Sequence, residues 1–501
     1  MGLKRALLCV ALCLCSALPA SAFVVRRDTT GRAVRWPTHA LPVRYRVGVT
    51  GSRESDEALV GAVLRAFQTW NRAPDSYVRF RYAGRTLARR AAPDGENCVI
   101  WVTRGWPYRP ETIAYTTTWL DHAGHVIDAD VELNAERFAW STFGLPGAVD
   151  VQNTVTHECG HALGLAHSLE STETTMFPII LLGEVLKRSL ELDDVAGVRA
   201  LYPIAASEVV LYEPADDVPG TLQLVLDELL AEPAGSTASI VLRADIDADG
   251  EDEFGVFRAG AGPTPASFSV LEARPVDGEP VLVAYDEWEI PAGGEIEDAT
   301  ALDVDGDGLE ELVVFQYDAA LGGQEVLVYD MPAWGDFTRA RTQPPVARDA
   351  WRIPRDGNLL KLFALRTPAG DLGVVRADAD GVLEVEISTP PRRGDASEQD
   401  AAHGESVPVL LPDGFAFTDV DAADLDGDGF DELVVLDQDG LEATVVVYDL
   451  VLSPDGLGLA LSHRESLGVP LAEDERALAL VGVDLDGSGI DRVGILRATI
   501  R

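Results

Sequence analysis

Three imidazoles and one carboxylate stand at fixed spacing in the run His157-Glu158-Cys159-Gly160-His161-Ala162-Leu163-Gly164-Leu165-Ala166-His167. On a helix, His157 and His161 lie one turn apart on the same side, where both reach one zinc ion about 2.0 to 2.1 Å away. Gly164 lets the chain leave the helix sharply, because glycine takes a positive φ without a Cβ clash, and the turn swings His167 round as a third ligand. Three neutral nitrogens leave the fourth tetrahedral position open to water, which marks a catalytic rather than a structural zinc. Glu158, next to the first ligand, is placed to take a proton from that water. A decayed site that binds zinc without turnover would keep the same histidines, so the intact glutamate carries the catalytic reading.

Ordinary elements suffice to hold these residues. Val151 to Leu163 fits a helix, and Ser55 can cap another whose first turn carries Asp56 and Glu57 and whose Leu59, Val63, Ala66, Phe67 and Trp70 recur at helical spacing. A third helix fits Leu190 to Leu201, stopped by Pro203. Leu41 to Val49, Cys98 to Thr103 and Val126 to Leu133 read as strands. On the last of these, Asp128, Asp130 and Glu132 share one face and suit either calcium ligands or a solvated edge strand. Residues 36–203 thus read as one α+β domain.

The first 22 residues have a basic start, a short apolar run and the small-residue site Ala20-Ser21-Ala22. They predict a secretory signal peptide and a secreted protein, with 23–35 as an N-terminal extension. Three of the five cysteines fall inside that peptide, leaving Cys98 and Cys159. An even pair in an oxidising compartment reads as one disulfide or as two small buried thiols. Cys159 sits about 200° round the helix from His157, facing the sheet, where a strand starting at Cys98 could lie, which favours the bond.

Of 40 Lys and Arg against 83 Asp and Glu in 501 residues (formal charge -43), residues 1–203 hold 22 against 21, leaving 18 against 62 for 204–501. Such acidity excludes nucleic acid or an anionic membrane as the main partner. No stretch beyond the signal has the length of a membrane span. A hydrophobic content of 47% is too high for an acidic disordered polymer. Asp-x-Asp segments begin at Asp245, Asp303, Asp424 and Asp484, with gaps of 58, 121 and 60 residues. The double gap predicts a decayed unit near 363, where Phe363 to Arg376 keeps a strand and turn but no aspartates. Five units of about 60 residues therefore fill 204–501. Residues 204–235 are a linker or first strands, and 236–501 an all-β repeat domain.

Within each segment, Asp at positions one, three and five, glycine at six and an acid at nine supply the hard oxygens that Ca²⁺ takes. The sets are Asp245, Asp247, Asp249 and Glu253; Asp303, Asp305, Asp307 and Glu311; Asp424, Asp426, Asp428 and Glu432; and Asp484 with Asp486, where Ser488 and Arg492 break the pattern. Acidic β-turns without metal would carry the same residues.

The zinc motif and its surroundings resemble the matrixin branch of the metzincin metallopeptidases. Ser168 follows the third histidine, Met176 in Thr174-Thr175-Met176-Phe177-Pro178 matches the family's Met-turn, and Glu191 to Tyr202, with Asp193 and Asp194, is similar to its final helix. Trp36 to Arg46 and Phe67 to Asn71 are similar to its opening strand and first helix. Over 36–203 the resemblance implies a twisted five-stranded sheet against the active-site helix, Met176 as a floor under the zinc and Pro178 in the wall of the pocket for the residue after the scissile bond. It also implies that Val126 to Leu133 is the edge strand that pairs with extended substrate. Ile179 to Leu182 would make that pocket apolar. His122 and His125 do not reproduce the family's second zinc site, and no mature cysteine precedes Cys98 to block the first.

The aspartate loops resemble the calcium-binding FG-GAP and VCBS repeats of integrin-like β-propellers. Together these features predict a secreted zinc endopeptidase acting on protein or peptide substrates with Glu158 as general base. A calcium-stabilised, propeller-like repeat domain follows it, with a surface or matrix component as its ligand. The rival reading is a secreted calcium-dependent adhesion or binding protein whose peptidase domain is inactive.

Overall fold

A computed structural model describes residues 23–49, 54–214 and 222–226, and from 240 to 500 chiefly the strands, with segments such as 246–249, 305–308, 389–404 and 485–487 left outside the description. The expected signal peptide, Asp247, Asp249, Asp305, Asp307 and Asp486 fall outside the described residues.

In chain order the first domain consists of β1 (Val24–Val25), β2 (Val43–Val47), α1 (Asp56–Asn71), β3 (Phe80–Arg85), β4 (Asn97–Val102), β5 (Ala114–Leu120), β6 (Val126–Asn134), β7 (Trp140–Ser141), β8 (Val149–Asp150), α2 (Val151–Leu163), β9 (Leu165–Ala166) and α3 (Leu192–Leu201). The Ser55 hydroxyl accepts the Ala58 N–H and starts α1. Leu59, Val63, Ala66, Phe67 and Trp70 are buried along one side of the helix. Each large apolar side chain so placed contributes about 1.5–3 kcal/mol. Trp70 also donates from its indole Nε1 to Thr156 O at 2.8 Å, which fixes α1 against α2.

The main sheet has the order β3-β2-β4-β6-β5, parallel except for β5. The expected edge strand, Val126 to Leu133, is therefore interior, and the open edge belongs to β5. A tight turn explains this. Asp121 accepts the N–H groups of Ala123 and His125 while Gly124 takes φ 86°, so β5 and β6 form a hairpin whose first strand lies outermost.

On β4, successive side chains face opposite sides. Val99 and Trp101 join the core with Cys159, whereas Cys98, Ile100 and Val102 pack with Ala88 and Trp106 on the other face. Both cysteines are free and buried. The expected disulfide fails because the strand offers Cys98 to the face away from α2.

Asp128, Asp130 and Glu132 are buried rather than solvated. Asp128 accepts the Gly95 N–H, Asp130 those of Ala92 and Cys98, and Glu132 the Tyr108 hydroxyl, so these acids hold the loops before and after β4 onto the sheet.

From Ile204 onward the described chain forms five four-stranded antiparallel sheets. Four run in sequence order over 240–290, 295–352, 358–409 and 417–469. The third begins with Asn358–Leu365 and Asp371–Ala377, the decayed unit. The fifth combines both ends of this region: Leu222–Leu226, Ile204–Pro214, Arg492–Ile500 and Glu475–Val483, in that order. The first strands of these four sheets pack on one another in turn, and those of the first and the fourth, Ile240–Ala244 and Phe417–Ala423, both pack on Glu475–Val483 of the fifth sheet.

Acids at the eighth loop position link neighbouring units. Asp252 accepts the Asp484 N–H and donates its own N–H to Asp484 O, and Asp491 does the same with Asp424. Buried Arg243 pairs with Asp431 and Asp491, and buried Lys361 lies 3.3 Å from Asp419 and 3.8 Å from Asp298. The two regions of the chain meet through Arg44 and Asp439 at 2.7 Å and across a cavity of about 140 Å³ lined by residues of both, including Tyr77, Arg81, Lys361 and Arg476.

Candidate active site

Capping places α2. Asp150 accepts the Asn153 N–H at its start and forms a buried ion pair with Arg188 at 2.6 Å, while Gly164 ends the helix at φ 105°. A Cβ at Gly164 would strike Val34 O, so sterics and backbone angle both require glycine. β9 follows at once, pairs with β1, and delivers His167.

The three histidines do come together. Nε2 of His167 lies 3.3 Å from Nε2 of His157 and 3.1 Å from that of His161. Tetrahedral ligand atoms about 2.0–2.1 Å from a zinc ion lie about 3.3 Å apart, so the spacing fits. The tautomers fit as well. Nδ1 of His157 donates to Thr175 O at 2.6 Å and Nδ1 of His161 to Leu165 O at 2.9 Å, because a carbonyl can only accept. Both Nε2 atoms are left as lone pairs facing one point, an arrangement that a cation satisfies. Burial holds the His157 imidazole well below its ordinary range, lowers His161 to about 4 and lowers His167, so all three are neutral ligands near pH 7.

Glu158 is buried beside them and points to the edge strand. The Thr116 hydroxyl on β5 donates to Glu158 Oε2 at 2.5 Å. Burial raises the Glu158 carboxyl to about 7, with the Thr116 hydrogen bonds acting in the opposite direction. Met176, 2% exposed, lies against the helix, where a Cβ at Gly160 would collide with its Sδ. Asp194 accepts the N–H groups of Thr175 and Met176, and Asp193 accepts the Ser168 hydroxyl, so the first turn of α3 holds the Met-containing turn in place.

A cleft of about 730 Å³ runs past these groups, lined by Arg26, residues 111–116, the three histidines, Glu158, Ala166, Pro178, Ile179 and Ile180. Pro178 is among the residues that line the cleft. Of the apolar run after it, Ile179 and Ile180 line the cleft, while Leu181 and Leu182 are exposed and do not. Thr116 and Arg26 are cleft side chains that the sequence analysis did not single out. Only the Thr116-Thr117-Thr118 run hints at the first, and nothing local marks the second.

In the second region, Asp424, Asp426 and Glu432 bring carboxylate oxygens within 4.8 Å of one another. Asp428 is exposed and accepts the Phe430 N–H. Arg464 reaches both Asp426, at 2.6 Å, and Glu432, at 3.0 Å, and supplies positive charge there. Asp245, Glu253, Asp303, Glu311 and Asp484 stand at the ends of their loops, next to the described strands.

A three-histidine centre that runs from buried His157 to exposed His167, with a buried carboxylate beside it and the outermost strand of a five-stranded sheet along it, is of the type found in zinc peptidases. Residues 35–203, about a third of the chain, match the matrixin peptidase family. The part of the chain that matches this family is followed by a strand-rich region of separate sheets. Metalloendoproteinase 2-MMP of Arabidopsis thaliana is 38% identical over 78 residues, 15% of this chain and 20% of that protein, so the chain spans about a fifth of the relative's length. The solved structure of BBS1N in complex with ARL6DN overlaps 58% of this chain and 97% of its own at 12% identity, but its TM-score of 0.26 carries no argument about fold. Among the described residues no helix is long and apolar enough to cross a membrane.

Proposed function

We propose that this protein is a secreted zinc endopeptidase with Glu158 as its general base. The observation that carries the reading is the convergence of three neutral imidazoles beside a buried carboxylate, in a cleft that borders a strand edge unpaired among the described residues. Zinc bound by His157, His161 and His167 would supply Lewis acidity toward the scissile carbonyl and toward an attacking water. The protein's own groups do the rest. The edge of β5 pairs with extended backbone, and Pro178 with Ile179 and Ile180 offers an apolar wall. Glu158 takes a proton from the attacking water and passes it to the amide nitrogen as the C–N bond breaks, so that an acid and an amine are released. Thr116 holds that carboxylate in position.

The test is hydrolysis of an unfolded protein substrate by Glu158→Ala. Activity should fall at least about a thousandfold, from loss of general-base catalysis and of the carboxylate's charge. Unchanged hydrolysis would reject the assignment and favour the rival, a binding protein with an inactive peptidase domain.

For the region beyond 204, the same reading holds that the five sheets close into a ring, a five-bladed propeller. Support comes from the succession of first-strand contacts and from the strand Arg492–Ile500 lying between Ile204–Pro214 and Glu475–Val483. The Asp424 loop is the best supported calcium site, on its clustered carboxylates. Its counterparts at Asp245, Asp303 and Asp484 follow from the shared pattern. The role of this region is to hold a surface or matrix component near the peptidase.

A further inference from the structure

Arg26 lies in the segment before the main sheet, yet it lines the zinc cleft. Its backbone N–H donates to Gly164 O at 2.8 Å, and β1 pairs with β9 next to the third histidine, so the residue is anchored at the site. The side chain bridges the cleft's two walls: Nη1 donates to His161 O at 3.1 Å and Nη2 to Thr118 Oγ1 at 2.9 Å. Both acceptors are neutral, and among the described residues Arg26 forms no ion pair. A guanidinium carries five N–H donors in a planar fork that matches a carboxylate, and two of them are taken. Arg26 is also the only cationic side chain among the described residues that line this cleft.

Its place along the edge strand is defined. Thr116 marks the reacting centre through Glu158, and Thr118 lies two residues further on the same face of β5, about 7 Å away at the usual strand rise. A substrate strand added antiparallel to β5 therefore brings the second or third residue before its scissile bond beside Arg26.

Resting on the peptidase reading, we infer that Arg26 is a specificity-determining residue that selects substrates with an aspartate or glutamate at the second or third position before the cleaved bond. The contact is a charge-assisted hydrogen bond at the rim of the cleft. It forms with the substrate side chain and takes no part in the chemistry.

The test compares full-length wild type, Arg26→Gln, Arg26→Lys and Arg26→Glu on peptides that differ only by Glu, Gln or Lys at those positions, with cleavage sites read by mass spectrometry. Each enzyme's kcat/KM ratio between peptides is the readout, which cancels any general loss of activity. Wild type should prefer Glu over Gln by about tenfold. Arg26→Lys should retain a reduced preference, Arg26→Gln should bring the ratio near one, and Arg26→Glu should favour Lys. The last inversion cannot follow from loss of the two structural hydrogen bonds alone. Cleavage with no acidic preference, a preference unchanged in Arg26→Gln, or an acidic preference confined to residues after the cleaved bond would overturn the inference and leave the peptidase reading intact. Absence of any cleavage by wild type would overturn both.

Discussion

Thr116 shows how much of the centre's geometry depends on one hydroxyl from another element. Glu158 sits in a helix whose first duty is to present His157 and His161, and nothing on that helix fixes its carboxylate. The hydroxyl from β5 does so through Oε2. Thr116→Val keeps the shape and removes the donor. A hydrogen bond to a charged group contributes about 1.5–3 kcal/mol, so kcat should fall by at least about tenfold, with KM for a neutral peptide nearly unchanged. Equal losses in both parameters would assign Thr116 to substrate binding instead. The same residue marks a limit of reading from sequence. The histidine spacing is local and was legible, as was Gly164, because each acts within one element or its cap, whereas the Met176 turn, which packs on α2 and is held by α3, was legible only through the family resemblance. Thr116 and Arg26 reach the centre across 42 and 135 residues. No short-range pattern encodes such contacts.

At the scale of elements, the three helices were legible from apolar spacing and caps, but which strand forms the edge was not. β6 is almost wholly buried and reads as a strand from its sequence, whereas β5, mostly half-exposed, was not among the expected strands. Alternation reveals a face, not a neighbour. The carboxylates of β6 carry a testable consequence. Burial raises Asp130 from 3.8 to about 7, while an unfolded chain holds that carboxyl at its ordinary value. Between about pH 4 and 7 the folded protein binds a proton that the unfolded chain releases, so the Asp130 contribution to stability grows as pH falls through 7 and is lost as pH rises through it. Denaturant midpoints for wild type and Asp130→Asn should therefore diverge in favour of wild type from pH 8 to pH 5, and a constant difference would contradict the assignment. The Asp424 loop carries a second prediction. Calcium at about a hundred times its dissociation constant adds about 2.7 kcal/mol to a protein that binds it only when folded. The melting temperature should rise by several degrees with calcium, and Asp424→Asn should abolish the rise. An unchanged melting temperature in the wild type would leave Arg464 as the loop's counter-ion.

At the scale of the whole molecule, the five sheets can be joined in two ways that predict different unfolding. In an open array each sheet depends on its neighbours only, and a defect at one end stays there. In a ring the strand Arg492–Ile500 is the clasp, hydrogen-bonded on one side to Ile204–Pro214 and on the other to Glu475–Val483. Charge makes the clasp matter more. Residues 204–501 carry 62 acids against 18 bases, so self-repulsion acts outward on any opening, and buried Arg243 reaches acids of two other units, Asp431 and Asp491, to oppose it. Leu496 is 2% exposed within the clasp, opposite Val209 and Ala479. Leu496→Asp buries an unpaired carboxylate there at a cost of several kcal/mol. On ring closure, amide protection should fall together in all five sheets, including the second and third, which do not contact the substitution, while the helices α1 and α2 keep theirs. Hydrogen exchange followed by mass spectrometry reads each sheet separately. Loss confined to the fifth sheet and the two beside it would mean that the sheets form an open row and that the clasp holds only its own strands.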